Sequence, residues 1–221
     1  MARVRINISL DPETEAKLRE LAEKYHVTVV SDEIHCDIAE PGTEYVPFAS
    51  VNETTRKVSI TCISPTKAFN LAGLQTAAVC VPDEFLRHKM WRALNTDEVA
   101  EPNSFAVCAA VAAFNYGEEW LSELRKYISE NRSFTQGYLE EKLPEIKMVK
   151  AEATYLAWLD VSKISHDSEA LSEEIRKKSG LFLSAGSHYG EQGKDFLRLN
   201  MACPRALLKE GLERLSKAII G

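Results

Sequence analysis

The chain has 221 residues, 45% of them hydrophobic, and a formal net charge of -6. That length holds one large domain or two modest ones with a real core. The acidic balance argues against broad affinity for nucleic acid or anionic membranes, which need a basic field, and favours small-molecule chemistry.

In chain order, Arg3 to Leu10 alternates, with Val4, Ile6, Ile8 and Leu10 on one side and Arg3, Arg5, Asn7 and Ser9 on the other, which predicts a half-buried strand. Asp11-Pro12-Glu13 has the form of a helix start, with Asp11 as cap and Pro12 in the first turn. Leu18, Leu21, Ala22 and Tyr25 form the apolar face of that helix. Val27 to Val30 is a short apolar strand running into Ser31-Asp32-Glu33-Ile34-His35-Cys36-Asp37. Strand, helix, strand is a βαβ-like rhythm, and in open α/β sheets ligands collect at the carboxyl ends of strands.

After a loop with Pro41, Gly42 and Pro47, a strand is expected over Lys57 to Ile63. It leads into the turn Ser64-Pro65-Thr66-Lys67-Ala68-Phe69-Asn70-Leu71-Ala72-Gly73-Leu74. A second short strand, Thr76 to Val81, precedes a helix over Glu84 to Leu94. Asn103 to Tyr116 is an alanine-rich helix with nearly no polar face, so it is expected to be buried, and Gly117 breaks it. Trp120 to Leu143 reads as a long amphipathic helix joining two domains. A small α+β region follows: strands over Ile146 to Lys150 and Thr154 to Val161, a helix over Ser168 to Ser179, strands near Leu181 to Ser184 and Phe196 to Asn200, and a last helix from Arg205.

The five cysteines, Cys36, Cys62, Cys80, Cys108 and Cys203, are scattered without CxxC spacing. Neither a disulfide framework nor a metal site is indicated. No apolar run approaches membrane-spanning length and no signal-peptide apolar region opens the chain, so a cytoplasmic location without membrane attachment is expected.

Three strand ends supply an acid, an amine and a guanidinium: Asp32, Lys67 and Arg198. Singly, each has a plain reading as a turn cap, a loop lysine or a surface charge. Alternation places Arg198 on the face of Phe196 and Asn200, where an arginine fork suits a carboxylate or phosphate. A lysine shielded among apolar groups is a candidate nucleophile.

Ser31-Asp32-Glu33-Ile34-His35-Cys36-Asp37-Ile38, Ser64-x-x-Lys67-x-Phe69-Asn70-Leu71-Ala72-Gly73-Leu74 and Phe196-Leu197-Arg198-Leu199-Asn200-Met201-Ala202-Cys203-Pro204-Arg205 resemble fold-type I pyridoxal-phosphate enzymes. The resemblance is to the class I/II aminotransferase family and, through His35-Cys36-Asp37, its cystathionine β-lyase branch. Thr154 to Asp160 and Gly186-Ser187-x-Tyr189-Gly190 add to it. The resemblance implies an α/β fold: the C-terminal part of a large cofactor-binding domain, with a mostly parallel sheet and helices (1–116), a connecting helix (117–144) and a small α+β domain (145–221).

It implies pyridoxal 5'-phosphate as cofactor. Lys67 would bond the cofactor aldehyde and act as catalytic base, and Asp32 would hold the ring nitrogen protonated. Ser64 and Thr66 would serve the phosphate, and His35 would lie near the phenolic oxygen. Arg198 would clamp the substrate carboxylate, and Tyr155, with Tyr189, would line the pocket. The expected reaction is β-elimination from a cysteine S-conjugate such as cystathionine, with transamination as the alternative, and the expected assembly is a homodimer.

The family's N-terminal phosphate cradle, ring-stacking aromatic and Asn-Pro-x-Asn-Pro segment have no counterpart in Met1 to Leu10. A fragment with impaired turnover, a separately encoded N-terminal half, or a catalytically idle partner subunit are therefore further expectations. Met1 to Val27 also resembles the opening of ribbon-helix-helix DNA-binding proteins, with Arg3, Arg5 and Asn7 as base readers. The lack of that fold's second helix and the acidic chain weigh against this reading.

Overall fold

The computed structural model describes residues 12–221. The expected strand Arg3 to Leu10, the Asp11 cap and the proposed base readers lie outside the described residues. The chain divides into two units, one of residues up to Asp37 together with Glu44–Leu121, the other of Ile38–Thr43 together with Ser122–Gly221. The division thus falls within the helix expected to connect two domains, and the second unit takes in a short segment from far upstream.

In the first unit, helix α1 (Pro12–Tyr25) ends where His26 takes a left-handed φ of 51°. Strand β1 (Val29–Asp32) follows, then after a loop helix α2 (Glu53–Val58) and strand β2 (Ser59–Ile63). The strand expected over Lys57 to Ile63 is therefore shorter, because a helix occupies its first residues. Asn52 accepts from the Thr55 amide at 3.0 Å while the Asn52 amide donates to the Thr55 hydroxyl at 3.1 Å. This reciprocal cap nucleates a turn of helix that the local alternation does not reveal.

Strand β3 (Ala78–Cys80) and helices α3 (Glu84–Thr96) and α4 (Ala106–Tyr116) complete the unit with the first residues of α5 (Glu118–Lys142). The sheet order is β1-β2-β3. β1 runs parallel to β2, with Asp32 opposite Cys62, and β3 runs antiparallel to β2, with Thr61 opposite Cys80.

Helix α4 is not buried, contrary to its composition. Only Ala106 is enclosed, while Val107, Val111 and Phe114 are exposed and Tyr116 is 83% accessible. An all-apolar helix reports what could be covered, and the described residues of this unit do not cover it.

The second unit has a complete core. Strands β4 (Lys147–Met148), β5 (Leu156–Asp160), β6 (Ser184–Ala185) and β7 (Phe196–Asn200) form an antiparallel sheet in the order β4-β5-β7-β6. Alternation sends Ala157, Leu159, Leu197 and Leu199 to one face. There they pack with Leu139 and Leu143 at the end of α5, Leu171 and Ile175 of α6 (Ser168–Ser179), and Leu208, Leu212 and Leu215 of α7 (Arg205–Ile220).

The strand expected near Leu181 is displaced to Ser184–Ala185, because Gly180 closes α6 in the left-handed region at φ 71° and the chain must run on before it can pair. At the other end of α6, Asp167 accepts from the amides of Glu169 and Ala170 at 3.1 and 3.0 Å. Asp167→Ala should lower the stability of this unit by about 1 kcal/mol, read as a shifted denaturant midpoint with unchanged slope.

The upstream segment Ile38–Thr43 is tied into the second unit. Ala39 bridges Ala153, the Thr154 amide donates to Ile38 at 2.7 Å and the Glu40 amide to Glu152 at 2.8 Å. From α5, Arg125 donates to the carbonyls of Ala39 and Glu40 at 2.8 and 3.2 Å. Arg132 pairs with the Glu40 carboxylate and also donates to the Thr154 carbonyl. Carbonyls on both sides thereby find donors and the Arg132–Glu40 pair sits largely out of water, although one terminal nitrogen of Arg132 is buried without a partner.

Candidate active site

Asp32 and the Lys67 turn stand at the carboxyl ends of adjacent parallel strands, since Asp32 closes β1 and Ser64 follows the last residue of β2. That is where α/β sheets gather ligands. The Asp32 carboxylate is exposed and accepts from its own turn, the Ile34 amide, at 3.4 Å.

Lys67 is half-buried, and no carboxylate pairs with it among the described residues. Its turn is held firmly. Phe69 donates its amide to Pro65 at 2.9 Å and Leu71 to Thr66 at 3.1 Å, while Asn70 and Gln75 take left-handed φ values of 54° and 48°. The Ala68 side chain is buried, its carbonyl accepts the Trp120 indole N–H at 3.1 Å, and Phe69 meets Phe114 edge-on at 6.3 Å. Gly117 lies so close to Phe69 that an added Cβ would come within 2.3 Å of its ring. In the sequence Gly117 is a helix breaker and Trp120 a face residue; here they support the lysine turn.

Ser64 is a strut of the same turn. Its hydroxyl donates to the Thr76 carbonyl at 2.6 Å, accepts from the Thr66 amide at 3.1 Å and lies 2.7 Å from the Thr66 hydroxyl. A hydroxyl has one proton, so serving a phosphate requires Ser64 to leave Thr76.

His35 and Cys36 lie half-buried in the loop after Asp32. Burial, then the Asp37 and Glu33 carboxylates, pushes the Cys36 thiol up to about 12, so it stays protonated and unreactive near neutrality.

Glu33 was not among the expected site residues, yet its carboxylate is the more engaged of the adjacent pair. It is only 6% exposed and accepts from the Ser31 hydroxyl at 2.8 Å and the Phe48 amide at 3.1 Å. Burial and this carboxylate push the Tyr45 phenol upward. The visible signal in the sequence was alternation itself, which puts Asp32 and Glu33 on opposite faces.

In the second unit, Arg198 lies opposite Trp158 on the face of the sheet turned away from the core. Its guanidinium lies 4.6 Å from the centre of the Tyr189 ring and 3.5 Å from the Ser184 hydroxyl. Trp158 meets Tyr189 and Phe196 edge-on at 5.4 and 6.1 Å, giving the guanidinium an aromatic floor. Burial holds the Tyr155 phenol above its ordinary value, and the Arg198 charge offsets this only in part, so the two groups share one field. No carboxylate pairs with Arg198 among the described residues.

A model of the family "Aminotransferase class I and II" matches residues 8–215. The chain belongs to that family. It is 41% identical over 203 residues to "Cystathionine beta-lyase PatB" of Bacillus subtilis, covering 92% of this chain and 52% of that protein. It is 32% identical to the cystathionine beta-lyase of Corynebacterium glutamicum, over 92% of this chain and 54% of that one.

Among solved structures, cystalysin from Treponema denticola, which contains pyridoxal 5'-phosphate, superposes with a TM-score of 0.91 at 28% identity, over 96% of this chain and 54% of that one. A PLP-bound C-S lyase from Staphylococcus hominis gives 0.84 at 30% identity, over 96% and 55%. The α/β fold of these PLP enzymes is therefore the fold of this family member. The chain spans about half the length of the relatives it matches. Pyridoxal 5'-phosphate fits the family, and the local donor set suits such a cofactor: an amine without a carboxylate partner, an exposed carboxylate and two turn hydroxyls. Among the described residues no group of three or more His, Cys, Asp or Glu could hold a metal ion, and no helix is long and apolar enough to cross a membrane.

Proposed function

We propose that this chain binds pyridoxal 5'-phosphate and serves a carbon–sulfur β-lyase reaction on cystathionine or related cysteine S-conjugates. The observation that carries the reading is the Lys67 turn, fastened at the carboxyl end of β2 beside the strand that ends in Asp32. Similarity to cystathionine beta-lyase and C-S lyase relatives supports the lyase outcome.

When bound, the cofactor supplies an aldehyde for amines and a ring that draws electrons from the substrate Cα. Lys67 Nζ would hold the cofactor through its aldehyde and would serve as the base for the Cα proton. The Asp32 carboxylate would keep the ring nitrogen protonated. The Thr66 hydroxyl, and that of Ser64 once released from Thr76, would serve the phosphate, and His35 the phenolic oxygen. Arg198 holds the substrate carboxylate through its fork, with Tyr155 beside it. In sum, a cysteine S-conjugate and water give a thiol, pyruvate and ammonia, with the Cα proton passing to the departing sulfur.

Transamination uses the same residues up to proton removal and differs in where the proton returns. The family's aminotransferase members make it the second reading. Homodimer assembly and a cytoplasmic location belong to the same proposal.

Titrating the chain with pyridoxal phosphate should produce a visible absorbance band that is absent in Lys67→Ala. A band of equal strength in Lys67→Ala, or none in either protein, would refute the cofactor role. Pyruvate release from cystathionine, against keto-acid formation with an amino acceptor, separates lyase from transaminase.

A further inference from the structure

Two carboxylates stand side by side where β1 gives way to its loop, and only one can face the ligand end of the sheet. Along the strand, Val30 and Asp32 are exposed, whereas Val29 and Ser31 are half-covered and Glu33 is enclosed. The Glu33 amide donates to the Cys62 carbonyl at 2.9 Å, so the parallel ladder with β2 continues one residue past Asp32. Extended pairing on both sides of Asp32 fixes the alternation, and whichever way Glu33 turns, Asp32 turns the other way.

The covered side offers Glu33 donors from two directions. Ser31 reaches it from the strand, and the Phe48 amide reaches it from the returning loop. These donors are selective for an acceptor with the reach of a glutamate. A one-residue slip would put the shorter Asp32 into their midst and leave Glu33 outside. Glu33 also receives the loop that leaves the sheet after Asp32 and comes back at Phe48, so one carboxylate closes both ends of that excursion.

We propose that Glu33 is a positioning residue: its buried carboxylate locks the register and facing of the β1 terminus so that Asp32, and not its neighbour, is presented at the carboxyl end of the sheet. The inference rests on the reading of Asp32 as the partner of the cofactor ring. Ser31 acts through Glu33 and shares its role to a smaller degree.

Two measurements test it. Carbodiimide-driven amine labelling with peptide mass spectrometry should modify Asp32 readily and leave Glu33 protected in the wild-type chain, and Glu33→Ala should change the Asp32 labelling rate severalfold. An unchanged rate, or a Glu33 that labels as fast as Asp32, overturns the inference whether or not the cofactor binds. The second measurement is the pyridoxal phosphate affinity, read from the Lys67-dependent band, in Glu33→Ala, Asp32→Ala and the double variant.

Glu33→Ala should weaken binding about tenfold in the wild-type background and not at all when Asp32 is already alanine, since residues acting through one another are non-additive. Glu33→Gln, which keeps the length and an acceptor oxygen, should restore most of the loss. Equal losses with and without Asp32 would make Glu33 a general structural residue and overturn the proposal. Should Glu33→Ala fail to fold, Ser31→Ala, which removes one donor, carries the same comparison. Absence of a Lys67-dependent band in the wild-type chain refutes the cofactor reading instead, and the labelling contrast still decides the present one.

Discussion

Gly186→Ala should destabilise the second unit by about 3 kcal/mol, because the added methyl has nowhere to go. A Cβ at Gly186 would stand 2.2 Å from the Gly193 carbonyl oxygen and 2.6 Å from that of Phe196. Gly193 is the reciprocal case, with the Gly186 oxygen at 2.0 Å from its own added Cβ. Backbone oxygens cannot swing aside as a side-chain tip can, so the turns Gly186–Tyr189 and Glu191–Asp195 would have to separate.

The first of these turns carries Tyr189, on whose ring the Arg198 guanidinium rests. The damage should therefore reach the aromatic floor as well as the fold. Hydrogen exchange followed by mass spectrometry should show β5 and β7 amides opening sooner. Gly137→Ala is the matched control: it lies inside α5 with nothing within 4 Å of an added Cβ, and should stabilise by up to about 1 kcal/mol. If both substitutions behave alike, the close approach at Gly186 is not what holds the turns.

Gly117→Ala should act on the first unit, through the lysine turn. Its methyl would come within 2.3 Å of Phe69 Cε1 and 2.4 Å of the Ala113 carbonyl. Phe69 is already committed edge-on to Phe114 and precedes Asn70, which is held at positive φ. Relief must therefore come from shifting the turn, and Lys67 is two residues away. The expected cost is about 2 kcal/mol of local stability, with about a five- to thirtyfold loss in lysine-dependent pyridoxal phosphate capture if half to all of that cost falls on the bound geometry. Faster exchange over residues 64–74 would accompany it. Capture at wild-type affinity, with exchange unchanged, would show that the turn is set without Gly117.

The second unit was largely legible from sequence because its signals are local and agree. The helix over Ser168 to Ser179 has its Asp167 cap and Gly180 stop, and β7 alternates cleanly through Phe196 to Asn200. The errors arise where a nonlocal fact overrules a local one. Lys57-Val58 looks like the start of a strand until the Asn52 and Thr55 pair is recognised as a cap that makes it helical. Helix α4 looks like core until one asks what the described chain places against it.

Asp32, Lys67 and Arg198 are each visible in the sequence as charged groups at or near strand ends. The parts of Glu33, Gly117 and Trp120 are not visible there, because they depend on contacts with Phe48, Phe69 and Ala68 across intervals of chain that no periodicity connects. The Ser64 hydroxyl carries the same lesson, since its attachment to Thr76 is a fact of the folded turn alone.

The second unit is written in two places along the chain, Ile38–Thr43 and Ser122–Gly221, with most of the first unit between them. Arg125 and Arg132 lie in the later stretch, and the Ala39 and Glu40 groups they hold lie in the earlier one. A single recombination point can therefore not graft this unit onto another protein intact. Moving residues 122–221 alone would leave Arg125 without its carbonyl acceptors, Arg132 without its carboxylate partner and an unpaired edge at Ala153. Compatible changes in the Ile38–Thr43 segment and in α5 should therefore accumulate as pairs, even though the bonded residues stand 85 to 92 positions apart in the chain.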